Sequence, residues 1–255
     1  MMNLLEGKRG LVIGIANEHS IAAGCARAFQ QAGAQLAVTY RNEQAKPYVQ
    51  PVAQEVNADI LLPLDVEADA QLDAVFERIE ADWGKLDFLL HSIAYCPKED
   101  LHGRVTDCSR EGFTQAVDVS CHSFIRLARK AEPLTKQGGC LLTVSYYGAE
   151  KVVDHYNVIG PVKAALEASV RYLAAELGPN GIRVNALSLE PLKTRAASGI
   201  AFFDKLIDET RERAPQRRLV TIKDVGNMAV GLASDGARNV TGNIAFVYVG
   251  YHVMS

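Results

Sequence analysis

The sequence predicts a single α/β domain spanning residues 1–255, built on a doubly wound parallel sheet of about seven strands with helices on both faces. Three observations lead there. Short segments that are apolar along their whole length alternate with longer segments of helical periodicity, as expected for strands covered on both sides. A chain of 255 residues can bury one sizeable core and fits one domain better than two. No internal repeat, low-complexity tract or linker interrupts the alternation.

Each element has a local cause. Gly10-Leu-Val-Ile-Gly14 is an apolar run bounded by glycines and forms the first strand. From Ser20 to Gly33, residues Ile21, Cys25, Ala28, Phe29 and Ala32 recur at helical spacing, with Ser20 placed to cap the helix and Gly33 to end it. Gln35-Leu-Ala-Val-Thr-Tyr40, Asp59-Ile-Leu-Leu-Pro-Leu64 and Leu86-Asp-Phe-Leu-Leu-His91 are the next three strands, separated by helical stretches, the second of which runs to Trp83. A long helical segment near 109–134 precedes Cys140-Leu-Leu-Thr-Val-Ser145. A helix carrying Tyr156 and Lys163 leads into Gly181-Ile-Arg-Val-Asn-Ala-Leu-Ser-Leu189. A mostly polar helical stretch, a helix from about 223 to 234 and a last strand, Asn243-Ile-Ala-Phe-Val-Tyr248, complete the order.

Composition narrows the function. The chain is 48% hydrophobic and 22% charged, and no apolar run approaches the ~18 residues of a membrane span. A net charge of -3 gives no general electrostatic reason to bind nucleic acid or anionic lipid, so neither is expected as a partner. The five cysteines, Cys25, Cys96, Cys108, Cys121 and Cys140, include no Cys-x-x-Cys pair and no nearby His at metal-ligand spacing. Reduced thiols and no metal are expected. The first ten residues hold an acid and two bases where a secretory peptide would carry its apolar stretch, which predicts a cytoplasmic protein.

Tyr156 and Lys163 stand seven positions apart. At ~3.6 residues per turn, a helix running through both would return them to one face. A neutral phenol beside a fixed ammonium suits a reaction in which negative charge builds on a carbonyl oxygen. A packed Tyr and an amphipathic Lys on an ordinary helix satisfy the same spacing, so it decides nothing alone. In such a sheet, ligands bind beyond the carboxyl ends of the strands, where strand order reverses. Gly14-Ile-Ala-Asn-Glu-His-Ser20-Ile21 falls there, ahead of a helix N-terminus suited to a diphosphate. It does not match G-x-G-x-x-G, because only Gly14 and the later Gly24 are glycines.

Six segments, taken together, go further. Gly14 with Ser20-Ile21-Ala22, Asp65-Val66, His91-Ser92-Ile93-Ala94, Ser145 to Glu150, Tyr156 with Lys163, and Leu192 to Gly199 resemble the bacterial NADH-dependent enoyl-acyl-carrier-protein reductases, a divergent branch of the short-chain dehydrogenase/reductase superfamily. The similarity runs in order over nearly the whole chain. Most superfamily members place the Tyr four residues before the Lys, a slot filled here by Ile159, whereas the longer interval marks the enoyl reductases. The resemblance implies a Rossmann-type fold, hydride transfer from NADH, and a substrate carried by acyl carrier protein. It places Gly14, Ser20 and Ile21 around the diphosphate, Asp65 and Val66 at the adenine, and Ile93 and Ala94 beside the nicotinamide ribose. Lys163 would hold the ribose hydroxyls, and Leu192 and Thr194 the carboxamide. Tyr156 would protonate the substrate, with Tyr146 a second active-site tyrosine or a packed aromatic. Cys96 falls where relatives usually have an Ala touching the acyl thioester.

Arg41 ends the second strand, where such sites discriminate NAD from NADP. An arginine there could accept a 2′-phosphate, which keeps NADPH open, but Asn42 and Glu43 follow and Glu43 would oppose it, so NADH is expected. From Lys193 to Arg218, a region implied to be a substrate flap, seven bases face four acids. That excess would suit docking of an acidic carrier protein, and equally a solvated helix with internal pairs. Two places depart from the family pattern. Glu190 stands where relatives have a Gly before the Pro, and is expected to bring charge toward the anionic cofactor. Tyr248-Val249 replaces Asp-Gly and is expected to alter the last strand, which in this superfamily helps build a homotetramer. The alternatives are a paralogue that keeps the fold without turnover, or a reductase of another enone or ketone.

Overall fold

A computed structural model of the chain describes residues 3–190, 192 and 203–254, side chains at 203–206 excepted. Its centre is one sheet of seven parallel strands in the order β3-β2-β1-β4-β5-β6-β7. The strands are β1 Arg9–Ile13, β2 Gln35–Tyr40, β3 Ile60–Pro63, β4 Phe88–His91, β5 Gly139–Tyr146, β6 Ile182–Leu189 and β7 Ile244–Val247. All seven coincide with the apolar runs of the sequence to within a residue or two.

Alternation along the strands divides the core between the two faces. Val12, Phe88, Leu90 and Leu142 point to one side, where they meet α1 (Ile21–Gln31), α2 (Lys46–Glu55) and α9 (Ile222–Ala233). Leu11, Ile13, Leu89 and Leu141 point to the other, against α3 (Asp69–Trp83), α6 (Ser123–Ala131) and α7 (Ile159–Leu177). Most of these strand side chains are fully buried, each worth about 1.5–3 kcal/mol by removal of its surface from water.

The helix ends follow their sequence signals. Ser20 caps α1 by accepting from the Ala23 N–H at 3.3 Å, and Thr221 and Asp224 form a reciprocal capping box on α9. Where α1 crosses α9 the backbones touch. A Cβ on Gly24 would lie 2.5 Å from the Ile222 carbonyl oxygen, and one on Gly226 would lie 2.6 Å from that of Gly24. The long helical segment is α5 (Arg110–Val117) and α6 joined by a π-helical turn, Asp118–His122, and the short α4 (Lys98–Leu101) precedes it. The polar stretch is α8 (Phe203–Arg213). Among the described residues, no helix is long and apolar enough to cross a membrane.

Candidate active site

Strand order reverses between β1 and β4, so a crevice opens beyond their carboxyl ends. Gly14 ends β1 at φ +102°, and a Cβ there would overlap the Ser92 carbonyl oxygen at the end of β4. The residue therefore does more than stop a strand, since it lets two loops close on each other. Ser20 and Ile21 follow at the start of α1, whose first turn contains no acid. Oriented N–H groups and an uncompensated dipole suit a diphosphate here.

Arg41 leaves the end of β2 and spans the next part of the crevice. Its guanidinium lies 3.4 Å from Asp65 and 3.8 Å from Glu67, and 5.8 Å over the ring of Tyr95. Asp65 does not cap α3, whose N-cap is Ala68; its carboxylate accepts from the Glu67 N–H at 3.1 Å. Val66 is buried and its carbonyl accepts from Arg126 at 2.7 Å. Ile93 packs on the second core while Ala94 is exposed. The π-turn sets this loop: Ser120 Oγ accepts from the Tyr95 N–H at 2.9 Å and donates to its carbonyl at 3.1 Å. Cys96 packs near Ala116, Val158 and Val162, and burial, Asp100 and Cys108 raise its thiol pKa to about 11. Leu192 rests on the first core, and Thr194 lies outside the described residues.

Tyr156 and Lys163 do not stand on two turns of one helix. α7 begins at Ile159, and Tyr156 lies in the turn before it, between His155 at φ +63° and Asn157 at φ +45°. Two consecutive-but-one left-handed residues redirect the chain, and Asn157 Nδ2 ties the turn to the Leu101 carbonyl at 2.8 Å. The Tyr156 ring, 8% exposed, meets that of Tyr146 edge-on with centroids 4.6 Å apart, and packs against Gly148. Tyr146 is the last residue of β5, so both tyrosines stand at the carboxyl end of the sheet. Lys163, 4% exposed, donates from Nζ to the Val144 carbonyl at 2.7 Å, which leaves two donors for a diol.

Beneath these groups lies a buried polar layer that spacing alone did not single out. Ser145 Oγ donates to Glu167 at 2.5 Å, one helical turn beyond Lys163. The i, i+4 relation of Lys163 and Glu167 was the available signal. His91 lies between Thr143 (2.8 Å) and Ser123 (2.9 Å); because Ser123 commits its proton to the Val119 carbonyl at 2.6 Å, His91 donates from Nε2 and accepts at Nδ1.

Burial dominates the electrostatics. It raises both phenols, Tyr156 further by Tyr146 and Glu167, and Tyr146 further by Tyr251 and Tyr147, so both stay protonated near neutrality. It lowers Lys163 to about 8 and, with the Lys163 charge, lowers His91 to about 3. Protonated phenols and an ammonium are the kinds of group suited to a carbonyl oxygen that gains negative charge.

The family model "Enoyl-(Acyl carrier protein) reductase" matches residues 14–252. The chain belongs to that family. It is 48% identical to the enoyl-[acyl-carrier-protein] reductase [NADH] 1 of Rhizobium meliloti, over 98% of this chain and 92% of that one. Two solved structures are similar throughout. The Aquifex aeolicus enoyl-[acyl-carrier-protein] reductase (NADH) superposes with TM-score 0.96 at 47% identity, covering 99% of each chain. The Anaplasma phagocytophilum reductase, solved in complex with NAD, gives 0.95 at 46%, covering 99% of this chain and 97% of that one.

Two places depart from the pattern of this reductase family, and the structure shows what each touches. The Glu190 carboxylate is buried and accepts from the Val220 N–H ahead of α9, which ties the end of β6 to the entry of that helix. β7 keeps its pairing with β6 and ends at Val247, with Tyr248 turned inward and 1% exposed. Val249 takes φ +44° where relatives usually carry Gly. Of the basic segment, Arg211 pairs with Asp208 at 3.3 Å and Arg218 with Asp224 at 3.5 Å, while Lys193 and Arg195 lie outside the described residues.

Proposed function

We propose that the protein reduces the trans-2 double bond of enoyl thioesters on acyl carrier protein with NADH, in fatty acid elongation. The reading rests above all on the buried Tyr156 phenol, held edge-on to Tyr146 at the end of β5, with Lys163 fixed to the same strand through the Val144 carbonyl. A reduced nicotinamide, when bound, supplies the hydride to the β-carbon. The chain's own residues do the rest. Tyr156 donates to the thioester oxygen as that oxygen becomes an enolate. Lys163 holds ribose hydroxyls with its two remaining donors and sets a positive charge near the developing anion. Tyr146 shapes the pocket and orients Tyr156 through its ring.

Gly14, Ser20 and Ile21 hold the diphosphate, Asp65 and Val66 the adenine, Ile93 and Ala94 the ribose side, and Leu192 with Thr194 the carboxamide. Cys96 faces the acyl thioester. NADH is favoured over NADPH because Arg41 is already engaged by Asp65 and Glu67, whose charges oppose an added phosphate. The same reading makes 1–255 one dinucleotide-binding and catalytic domain with its substrate flap at about 193–218, working in the cytoplasm as a homotetramer.

The test is loss of reduced-nicotinamide absorbance with a trans-2-enoyl-acyl carrier protein, comparing NADH with NADPH. Turnover preferring NADH is expected. Tyr156→Phe should slow it at least roughly tenfold with NADH affinity nearly unchanged, and Lys163→Ala should weaken both. Full turnover in both variants would refute the assignment.

A further inference from the structure

Tyr248 has an unusual place for a residue beyond the last strand. Among the described residues its side chain is the largest that is fully buried, and its hydroxyl reaches across the end of β6 toward β5. There the phenol oxygen accepts from the Tyr147 N–H at 2.6 Å, and it lies 3.3 Å from the buried Ser188 Oγ on β6. Three adjacent strand ends are thereby joined through one oxygen. The ring is held in turn by Phe246 and His252, with centroids 5.8 and 5.6 Å away, and those two stack on each other at 4.5 Å.

The pinned amide matters because of its neighbours. Tyr147 follows Tyr146 directly and begins the 3₁₀ turn Tyr147–Ala149, which includes Gly148, against which the Tyr156 ring packs. Without the bond, this half-buried N–H would need another partner, and the turn carrying Tyr146 would be free to shift. The relatives' usual Asp at this position is shorter and charged. A neutral phenol, kept protonated by burial, supplies the acceptor without placing a carboxylate near Tyr146 and Tyr156.

We propose that Tyr248 is a positioning residue for the reductase reaction: its hydroxyl pins the Tyr147 amide and thereby fixes Tyr146 and the seat of Tyr156. This rests on the enoyl reductase reading for its catalytic consequence, and on the hydrogen bond alone for its structural one.

Tyr248→Phe removes the oxygen and keeps the ring. Two readouts are needed: kcat, KM and NADH affinity with enoyl-acyl carrier protein, and hydrogen–deuterium exchange of the peptide covering 146–149. The expected result is a kcat lowered roughly tenfold, NADH affinity within about twofold, and faster exchange at Tyr147. Ser188→Ala, which leaves the Tyr147 bond in place, should change kcat by less than about twofold. Unchanged exchange in Tyr248→Phe overturns the pin, whatever happens to turnover. Faster exchange with unchanged kcat overturns its catalytic importance. Should the wild-type protein show no turnover, the activity reading fails, and exchange alone still decides whether Tyr248 holds Tyr147.

Discussion

Lys163 reaches from α7 to the backbone of β5, donating to the Val144 carbonyl at 2.7 Å two residues before Tyr146. The ammonium is thus fixed to the same strand that presents one of the two tyrosines, so its distance from them depends on the sheet and not on a mobile side chain.

The pH dependence of cofactor use follows. Burial brings Lys163 down from 10.5 to about 8, so its charge in the free protein is lost as pH rises through that value. The kcat/KM for NADH, which reflects free-enzyme ionisations, should fall above about pH 8. In Lys163→Arg the absolute rate should drop while the descending limb moves to higher pH, because a guanidinium keeps its charge. An identical limb in both proteins would assign it to another group.

Glu190 should make stability pH-dependent in the opposite sense to a paired surface acid. Burial raises its carboxyl from 4.5 to about 7, while the Val220 N–H and Arg218 offset part of that and Asp224 adds to it. A group with a raised folded-state pKa stabilises fully below its unfolded value, and that contribution is lost as pH rises from about 4.5 through 7. Glu190→Gln keeps an acceptor for Val220 without ionising. Urea unfolding at pH 5 and pH 8 should show the wild type losing on the order of 2 kcal/mol more than the variant between the two. Parallel curves would contradict the shift.

Val249 is β-branched and buried, yet it holds φ +44°. Deleting a buried Val side chain ordinarily costs a few kcal/mol, but here Gly also relieves a left-handed strain of roughly 1–3 kcal/mol. Val249→Gly should therefore leave stability within about 1 kcal/mol of wild type by denaturant unfolding. A loss of about 3 kcal/mol would mean that the turn stores no strain.

The strands were the most legible part of this chain, and the reason is physical. Both faces of the sheet are covered, so runs such as Cys140 to Ser145 carry little polar interruption and stand out from helices whose outer faces are wet. The helix start at Ser20 was readable for the same kind of reason, since a side-chain oxygen must serve orphan N–H groups. What escaped was non-local or unsignalled. The left-handed turn around Tyr156 uses His and Asn in place of Gly, so the interval to Lys163 passed for helix. The bond of Glu190 to Val220 left no trace at a strand end, because the partner lies thirty positions on and only the fold brings it there. Tyr248 was read as a disturbed strand for want of any local trace of Tyr147, a hundred and one residues earlier.

The contact of Gly24 with Ile222 and Gly226 joins two regions that a map of binding residues would keep apart. The helix that begins at Ser20 and the helix entered through Val220 approach closely at these glycines, where backbone atoms and the Cβ atoms of Ile222 and Ala28 leave no room for an added methyl. Rigid parts in such contact translate together. A methyl group added at Gly226, itself not expected to touch a ligand, must push α1 or α9 aside and carry Ser20 or the Glu190 tether with it. In a mutational survey of nucleotide affinity that position would score with the binding loop itself, and its sensitivity would come from leverage, with no lost contact to explain it.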